Sequence, residues 1–133
     1  IIDNTFYKKT YVQNQILGRA LLESVLFYDG KCIFTTVTID EMEFYGVTGR
    51  ELGGIVEQLR LTDGVEVAIF LYQTGEEEYK VSLRSKKKID VAAIATQFGG
   101  GGHVRAAGYT AKGSVYQIIN SIGELIEKQY NAM

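Results

Sequence analysis

The residues best suited to chemistry lie in one short stretch, 98–108, which reads Phe-Gly-Gly-Gly-Gly-His-Val-Arg-Ala-Ala-Gly. It places His103, the only histidine of the chain, directly after four glycines. Glycines bring backbone N–H groups close to a ligand, and a helix that began here would direct its unpaired donors at an anion. A flexible linker is the alternative. The stretch predicts an ordered anion-binding loop at residues 99–102, with His103 as a further donor to a phosphate oxygen.

Other catalytic and cofactor motifs are missing from the sequence. The glycine run matches neither the GxGxxG dinucleotide fingerprint nor a P-loop with its Lys-Ser/Thr ending. One histidine and one cysteine cannot supply the three or four ligands of a protein zinc site, and no Gly-x-Ser-x-Gly nucleophile motif is present. The acidic clusters at 40–43 and 76–78 are typical of solvated surface. We therefore expect a ligand-binding chain with no catalytic residue and no metal ligands of its own.

Positive charge is concentrated around the glycine run. Residues 80–112, the basic segment, contain seven lysines and arginines against one aspartate, or +6, while the remainder carries 7 basic and 15 acidic residues, or −8, in agreement with the net charge of −2. Within it, Arg84 is the second predicted phosphate anchor, because its planar guanidinium can grip a phosphate through two hydrogen bonds. A solvated surface is the alternative. Weaker candidates for the same site are Ser82, Ser85, Lys86 and Arg105.

Length and composition indicate one globular domain. The chain has 133 residues, of which 46% are hydrophobic and 23% charged, and no apolar run approaches the length of a bilayer crossing. Helical and strand patterns alternate along it. This order predicts an α/β fold, a single domain with a mixed β-sheet flanked by helices.

The individual elements follow from periodicity and capping signals. Apolar residues spaced by three and four predict a helix over 12–28, and a capping box at Thr48 and Glu51 predicts another that ends near residues 63–64. Strands are predicted over 31–39 and 65–72, with a hairpin leading to a strand over 79–84 that has Ser82 and Arg84 on one face. A short helical turn is expected over 40–44. Further along, the patterns predict a helix after Asp90 that Gly99 ends, a strand over 107–112, and a last helix capped by Ser114 with Gln117.

The single cysteine and the chain's first residues bear on its cellular context. Cys32 cannot form an internal disulfide, so it is predicted to be a buried thiol and the location cytoplasmic. The chain begins with Ile1, without the pattern of a signal peptide. We interpret it as a piece of a longer protein, in which residues 1–17 end an interdomain linker and start the first helix, and residues 18–133 form the binding domain.

Three short motifs in a fixed order carry a family resemblance. Residues 98–103 with Ala106-Ala107-Gly108, preceded by Ser-Leu-Arg-Ser at 82–85 and Gly-Val-Glu-Val-Ala at 64–68, resemble the DHH-associated C-terminal domain of DHH phosphoesterases. The resemblance extends from about Gly18 to the last helix. Over residues 48–67 it is strongest to small oligoribonucleases that also remove phosphate from 3',5'-adenosine bisphosphate.

The resemblance implies a substrate-binding role within a metal-dependent hydrolase. It implies that Arg84, His103 and Gly100 to Gly102 bind the nucleotide end of a short oligoribonucleotide or of adenosine bisphosphate. A two-manganese centre in an N-terminal DHH domain, carried on the same polypeptide, would then cleave the phosphoester. Three alternatives remain open: a RecJ-type single-strand exonuclease, a cyclic-dinucleotide phosphodiesterase, and a binding module without catalysis like the C-terminal region of alanyl-tRNA synthetases.

Overall fold

The computed structural model describes residues 10–133. They fold into one α/β domain with five α-helices, one short 3₁₀ helix and six strands. Their bounds, in chain order, are α1 (Tyr11–Leu22), β1 (Val25–Phe27), β2 (Cys32–Val37), α2 (Ile39–Tyr45), the 3₁₀ helix (Gly49–Leu52), α3 (Gly54–Arg60), β3 (Val67–Gly75), β4 (Glu78–Ser85), α4 (Val91–Gln97), β5 (Gly101–His103), β6 (Ala106–Lys112) and α5 (Val115–Asn131). None of these helices is long and apolar enough to cross a membrane.

All six strands form one mixed sheet in the order β1-β2-β3-β4-β6-β5. Only β2 and β3 are parallel, and they are joined by the crossover through α2, the 3₁₀ helix and α3. Every other neighbouring pair is antiparallel. Because β6 pairs with both β4 and β5, it lies between them, and α4 connects the two strands that β6 separates. The α/β class and the mixed sheet predicted from the sequence are confirmed.

Two hydrophobic cores lie on opposite faces of the sheet. The larger core packs α4 and α5 against one face, and its fully buried side chains include Ile94 and Ile122. The smaller core packs α1, α2 and α3 against the other face, over β2 and β3, around Phe70. Gln129 of α5 joins the start of α4 by two hydrogen bonds with the backbone of Asp90, of 2.8 and 2.9 Å. The larger core therefore fixes β4, β5 and β6 from one side.

The predicted capping signals are confirmed. Thr48 with Glu51 and Ser114 with Gln117 each form a complete capping box, and the Asp90 carboxylate accepts the N–H of Ala93 at the start of α4. The box at Thr48 begins the 3₁₀ helix, and α3 follows it and ends at Arg60. The strand predicted over 31–39 is shorter, because Thr38 caps α2 and Ile39 is the first helical residue.

The helix predicted over 12–28 is wrong beyond residue 22. Glu23 and Ser24 fold back in a turn, and residues 25–27 then pair with β2 as the edge strand β1. A tight turn with positive φ at Tyr28, Asp29 and Gly30 makes this pairing possible. Val25 continued the helical spacing of apolar residues, yet it is 46% exposed. The strand pairing of residues 25–27 with β2 therefore outweighed the helical spacing of apolar residues in this segment.

The glycine run has a different structure from the predicted loop. Gly99, at φ 86°, is the left-handed residue that ends α4, as expected. The N–H groups of Gly99 and Gly100 donate to the carbonyls of Thr96 and Ala95, which is the hydrogen-bond pattern of a Schellman motif. Residues 101–103 then form β5 and pair with β6. No helix begins at the glycines, so this part of the fold offers no helix N-terminus to an anion.

Candidate functional site

The strongest sequence candidates lie on one face of the sheet. Residues directly opposite each other in an antiparallel pair point to the same face. Arg84 pairs with Ala106, and Ala106 pairs with His103. The next row along this face joins Ser82, Gly108 and Gly101 in the same way. The insertion of β6 thus places Arg84 and His103 in one row, with small residues between them.

This face of β4, β6 and β5 is accessible. Ser82, Arg84 and Gly108 are half-buried, while Gly101 and His103 are exposed. A Cβ built on Gly101 meets no atom within 4 Å. Strand neighbours lie roughly 4.8 Å apart, so the backbones of Arg84 and His103 are separated by roughly 10 Å. We call this surface the open face, defined by Ser82, Arg84, Gly101, His103 and Gly108.

Glu57 of α3 holds the arginine of the open face in place. Glu57 Oε2 lies 2.8 Å from Arg84 Nε, and Glu57 Oε1 lies 3.0 Å from Arg60 Nε. Arg84 Nη1 also donates to the carbonyl of Leu83 at 3.0 Å. Desolvation alone would raise the pKa of Glu57, but the hydrogen bonds from Arg84 and Arg60 lower it overall. The guanidinium is therefore oriented in advance by an ionised carboxylate.

The glycines beside His103 are required by close packing. A Cβ on Gly100 would lie 2.5 Å from Tyr109 Cβ and even closer to the carbonyl oxygen of Gly108. Gly102 has φ 147°, and a Cβ there would lie 2.5 Å from the carbonyl oxygen of Ala106. Cβ atoms in proteins essentially never lie this close to other heavy atoms. Gly100 and Gly102 let β5 reach β6, which in turn places His103 on the open face.

Three weaker candidates lie away from the open face. Ser85 is buried, and its hydroxyl donates to the carbonyl of Ile89 at 2.6 Å. The Arg105 guanidinium donates to the carbonyls of Lys87 and Ile89, and the Lys86 ammonium donates to the carbonyl of Thr62. All three polar groups bind backbone carbonyls within the domain. The structure does not bring them together with Arg84 and His103.

Backbone donors of the three-lysine stretch are occupied as well. The carboxylate of Glu66, which is 9% exposed, accepts the N–H groups of Lys87, Lys88 and Ile89 at 2.7 to 3.2 Å. Burial by itself would raise the pKa of Glu66, but these backbone hydrogen bonds lower it. The donors that a basic loop would present to a phosphate are thus used by a carboxylate of the same domain.

Sequence reasoning missed Glu57 and Glu66. Glu57 pairs with Arg84, which is 27 residues away, and Glu66 accepts backbone N–H groups from residues 21 to 23 positions away. The available signals were the position of Glu57 on the polar side of a helical stripe and the place of Glu66 in the Gly-Val-Glu-Val-Ala motif at 64–68. Cys32, in contrast, is buried as predicted, and burial raises the pKa of its thiol to about 12.

Possible metal ligands are scattered through the fold. Among residues 10–133, no three His, Cys, Asp or Glu side chains come together in a way that could hold an ion. Glu57 and Glu66 are engaged by arginines and by backbone N–H groups. The described side chains therefore do not fit a metal centre, and the open face offers donors for an anion.

The mixed sheet flanked by helices defines an α/β domain, and comparison with known proteins identifies the family. Residues 29–129 match the DHHA1 domain. The chain belongs to the DHHA1 domain family, the domain found in DHH phosphoesterases. The family resemblance of the sequence is thereby confirmed.

Individual relatives agree with this assignment. The chain is 47% identical over 55 residues to the bifunctional oligoribonuclease and PAP phosphatase NrnA of Thermus thermophilus, an alignment that covers 41% of this chain and 17% of the relative. An exopolyphosphatase-related protein from Bacteroides fragilis superposes with a TM-score of 0.82 at 22% identity, over 92% of this chain and 36% of that one. The pGpG-specific phosphodiesterase PggH of Vibrio cholerae superposes with a TM-score of 0.57 at 10% identity, over 90% and 39% of the two chains. The chain thus spans only a part of each of these proteins.

Proposed function

We propose that this domain binds the phosphate-bearing nucleotide end of a short oligoribonucleotide, or of 3',5'-adenosine bisphosphate, for hydrolysis by a DHH phosphoesterase. The observation that carries the proposal is the single row that contains Arg84 and His103 on the open face. Arg84 supplies a permanent positive charge, and His103 supplies an exposed ring N–H donor. The NrnA relative, which shares 47% identity over 55 residues, supports this substrate class.

Substrate positioning is the contribution that these side chains can make to the reaction. Two anchors roughly two strand spacings apart restrain the orientation of a terminal nucleotide, and restraint of this kind lowers the entropic part of the barrier. Cleavage itself is assigned to a manganese-dependent DHH domain that precedes this one on the same polypeptide. Because the described side chains do not fit a metal centre, we assign no chemical step to this chain.

The proposed location is the cytoplasm. Cys32 is a free, buried thiol, and reducing compartments preserve such thiols.

Alanine variants of the two anchors test the proposal. In the chain joined to a DHH domain, Arg84→Ala and His103→Ala should each raise KM for a diribonucleotide at least about tenfold, because each removes a hydrogen bond to a charged group worth roughly 1.5–3 kcal/mol. Manganese content should not change. In the chain alone, the same variants should weaken binding of the diribonucleotide, measured by calorimetry.

The matched control is Arg19→Ala. Arg19 also forms an ion pair with a glutamate, at 2.9 Å from Glu41 Oε2, but it lies on α1. This variant should bind the diribonucleotide like the unmodified chain. Unchanged KM and unchanged binding in both Arg84→Ala and His103→Ala would contradict the proposed function.

A further inference from the structure

A partly apolar cavity of about 190 Å³ adjoins the open face. It lies where the 3₁₀ helix and α3 pass over β3 and β4. Its walls include two aliphatic side chains and two aromatic ones, namely Leu52, Val56, Phe70 and Tyr72. We call it the aromatic cavity.

The polar rim of the aromatic cavity is shared with the open face. Lys80, Ser82 and Arg84 line the cavity, and all three side chains lie on the same side of β4. The carboxylate of Glu57 nearby is already paired with Arg84 and Arg60. Since no carboxylate lines the cavity itself, its rim attracts a ligand that carries negative charge next to a flat apolar part.

Tyr72 is held firmly as one wall of this cavity. A Cβ on Gly49 would lie 2.6 Å from Cζ and from the hydroxyl oxygen of Tyr72, so the ring packs directly on the backbone of residue 49. The Tyr72 ring also lies 6.2 Å from that of Phe70, at an angle of 34°. A ring fixed in this way offers a preformed surface for stacking, without loss of side-chain entropy on binding.

We propose that the aromatic cavity binds the nucleobase of the nucleotide whose phosphate is held by Arg84 and His103. The inference rests on the proposed function and specifies it: the site would select a base-bearing nucleotide over a bare sugar phosphate or inorganic phosphate. The planar base packs on the half-buried ring of Tyr72, because the other apolar walls, Leu52, Val56 and Phe70, are at most 3% exposed and lie behind it. Arg84, which belongs to both the cavity and the open face, lies between the base and the phosphate.

Titrations of the chain with AMP and with ribose 5-phosphate, followed by NMR of its backbone amides, test this proposal. The two ligands share the ribose 5-phosphate group and differ at C1′, which carries adenine in AMP and a hydroxyl group in ribose 5-phosphate. Both should shift the signals of the open face at Gly101 and His103, and only AMP should also shift those of Gly49, Gly53 and Tyr72. AMP should bind at least about fivefold more tightly, because stacking on an aromatic side chain contributes roughly 1–3 kcal/mol per base.

Two pairs of variants test the contribution of the aromatic cavity to AMP binding separately from that of the open face. Tyr72→Leu should remove the preference for AMP and leave ribose 5-phosphate binding unchanged, whereas Tyr72→Phe keeps the ring and should keep the preference. Gly53→Leu introduces a bulky side chain at the cavity lining, and its control is Gly18→Leu on α1. Both glycines have no atom within 4 Å of a built Cβ. Only Gly53→Leu should weaken AMP binding.

The possible results separate this proposal from the proposed function. If AMP binds no more tightly than ribose 5-phosphate and shifts only the open face, the base proposal is overturned and the phosphate site stands. The same conclusion follows if both Tyr72→Leu and Gly53→Leu keep the preference for AMP. In that case, an apolar side chain from a neighbouring domain is the occupant to be sought. If neither ligand shifts any signal, the proposed function fails, and the base proposal fails with it.

Discussion

Gly100 and Gly101 are adjacent in the sequence but face different surroundings. A Cβ on Gly100 would collide with Gly108 and Tyr109, whereas one on Gly101 would extend into open space above the sheet. The first glycine is needed to bring β5 against β6. The second is needed only if a ligand must approach the backbone closely at the open face.

Alanine at Gly100 should affect the stability of the fold, and alanine at Gly101 should affect ligand binding. Gly100→Ala should lower the free energy of unfolding by about 2–3 kcal/mol, because the new methyl group forces backbone atoms apart in a packed region. Gly101→Ala should leave the stability nearly unchanged and weaken diribonucleotide binding. Urea denaturation and calorimetry measure the two effects. Equal stability of the two variants would contradict the packing role assigned to Gly100.

At the scale of elements, Glu66 connects the start of β3 to the loop between β4 and α4. Its carboxylate accepts three successive backbone N–H groups, and its own carbonyl accepts the N–H of Lys86 at 3.0 Å. Arg105 closes the same loop from the β5–β6 turn by donating to two of its carbonyls. These contacts fix the end of β4, which carries Arg84, relative to β5, which carries His103.

The depressed pKa of Glu66 makes this connection dependent on pH. The folded state binds the proton less tightly than the unfolded state, whose glutamate pKa is about 4.3. The stabilisation is therefore complete above that value and is lost as the pH falls through the lower pKa of the folded state. The pKa of Glu57 is also lowered, so its ionised carboxylate likewise stabilises the folded state near neutral pH and loses that effect in acid. Acid should loosen the loop that supports the open face.

Glu66→Gln tests this connection with a side chain of the same size. At pH 7 the variant should be less stable by about 1–3 kcal/mol, since an amide cannot accept all of the buried N–H donors. The difference in the free energy of unfolding between the variant and the unmodified chain should narrow as the pH is lowered from about 5 to about 3. Urea denaturation over this range measures it, with Glu127→Gln, an exposed position on α5, as the control. A difference that stays constant with pH would contradict the role of the ionised carboxylate.

Across the whole molecule, charge and coverage by helices are both asymmetric. The basic segment carries +6 in a chain whose net charge is −2. The segment also contains most of β4 and all of β5 and β6, which α4 and α5 cover on one side. On the other side, α1, α2 and α3 pack over β2 and β3 and leave the open face accessible. The acidic remainder of the chain discourages the binding of nucleic acid elsewhere on the surface.

Binding of a diribonucleotide should therefore weaken as salt increases, but only moderately. Arg84 contributes one permanent charge to the site, and contacts with one or two phosphates of so short a ligand predict a slope shallower than the roughly −0.7 per phosphate of a long single strand, in a plot of log K against log salt concentration. Titration calorimetry at salt concentrations from about 50 to about 200 mM measures this slope. In Arg84→Ala the slope should become shallower. Binding that does not depend on salt would exclude a phosphate-directed site.

Much of the local structure could be predicted from the sequence. The capping boxes at Thr48 and Ser114, the cap at Asp90 and the left-handed Gly99 depend on residues within a few positions of each other. The shared face of Ser82 and Arg84 follows from strand alternation alone. The motifs around His103 carried the family resemblance. These features were predictable because their causes are local in the chain.

The tertiary structure decided how these parts come together. Nothing local specifies that β6 enters between β4 and β5, and this insertion alone places His103 in the row of Arg84. Glu57 reaches Arg84 across 27 residues, and residues 25–27 became a strand because β2 was available to pair with them. Pairing between strands and long-range ion pairs depend on partners that come close only after folding. The sequence by itself therefore determined the local elements and the candidate residues, and the fold determined that two of these candidates, Arg84 and His103, share one face of the sheet.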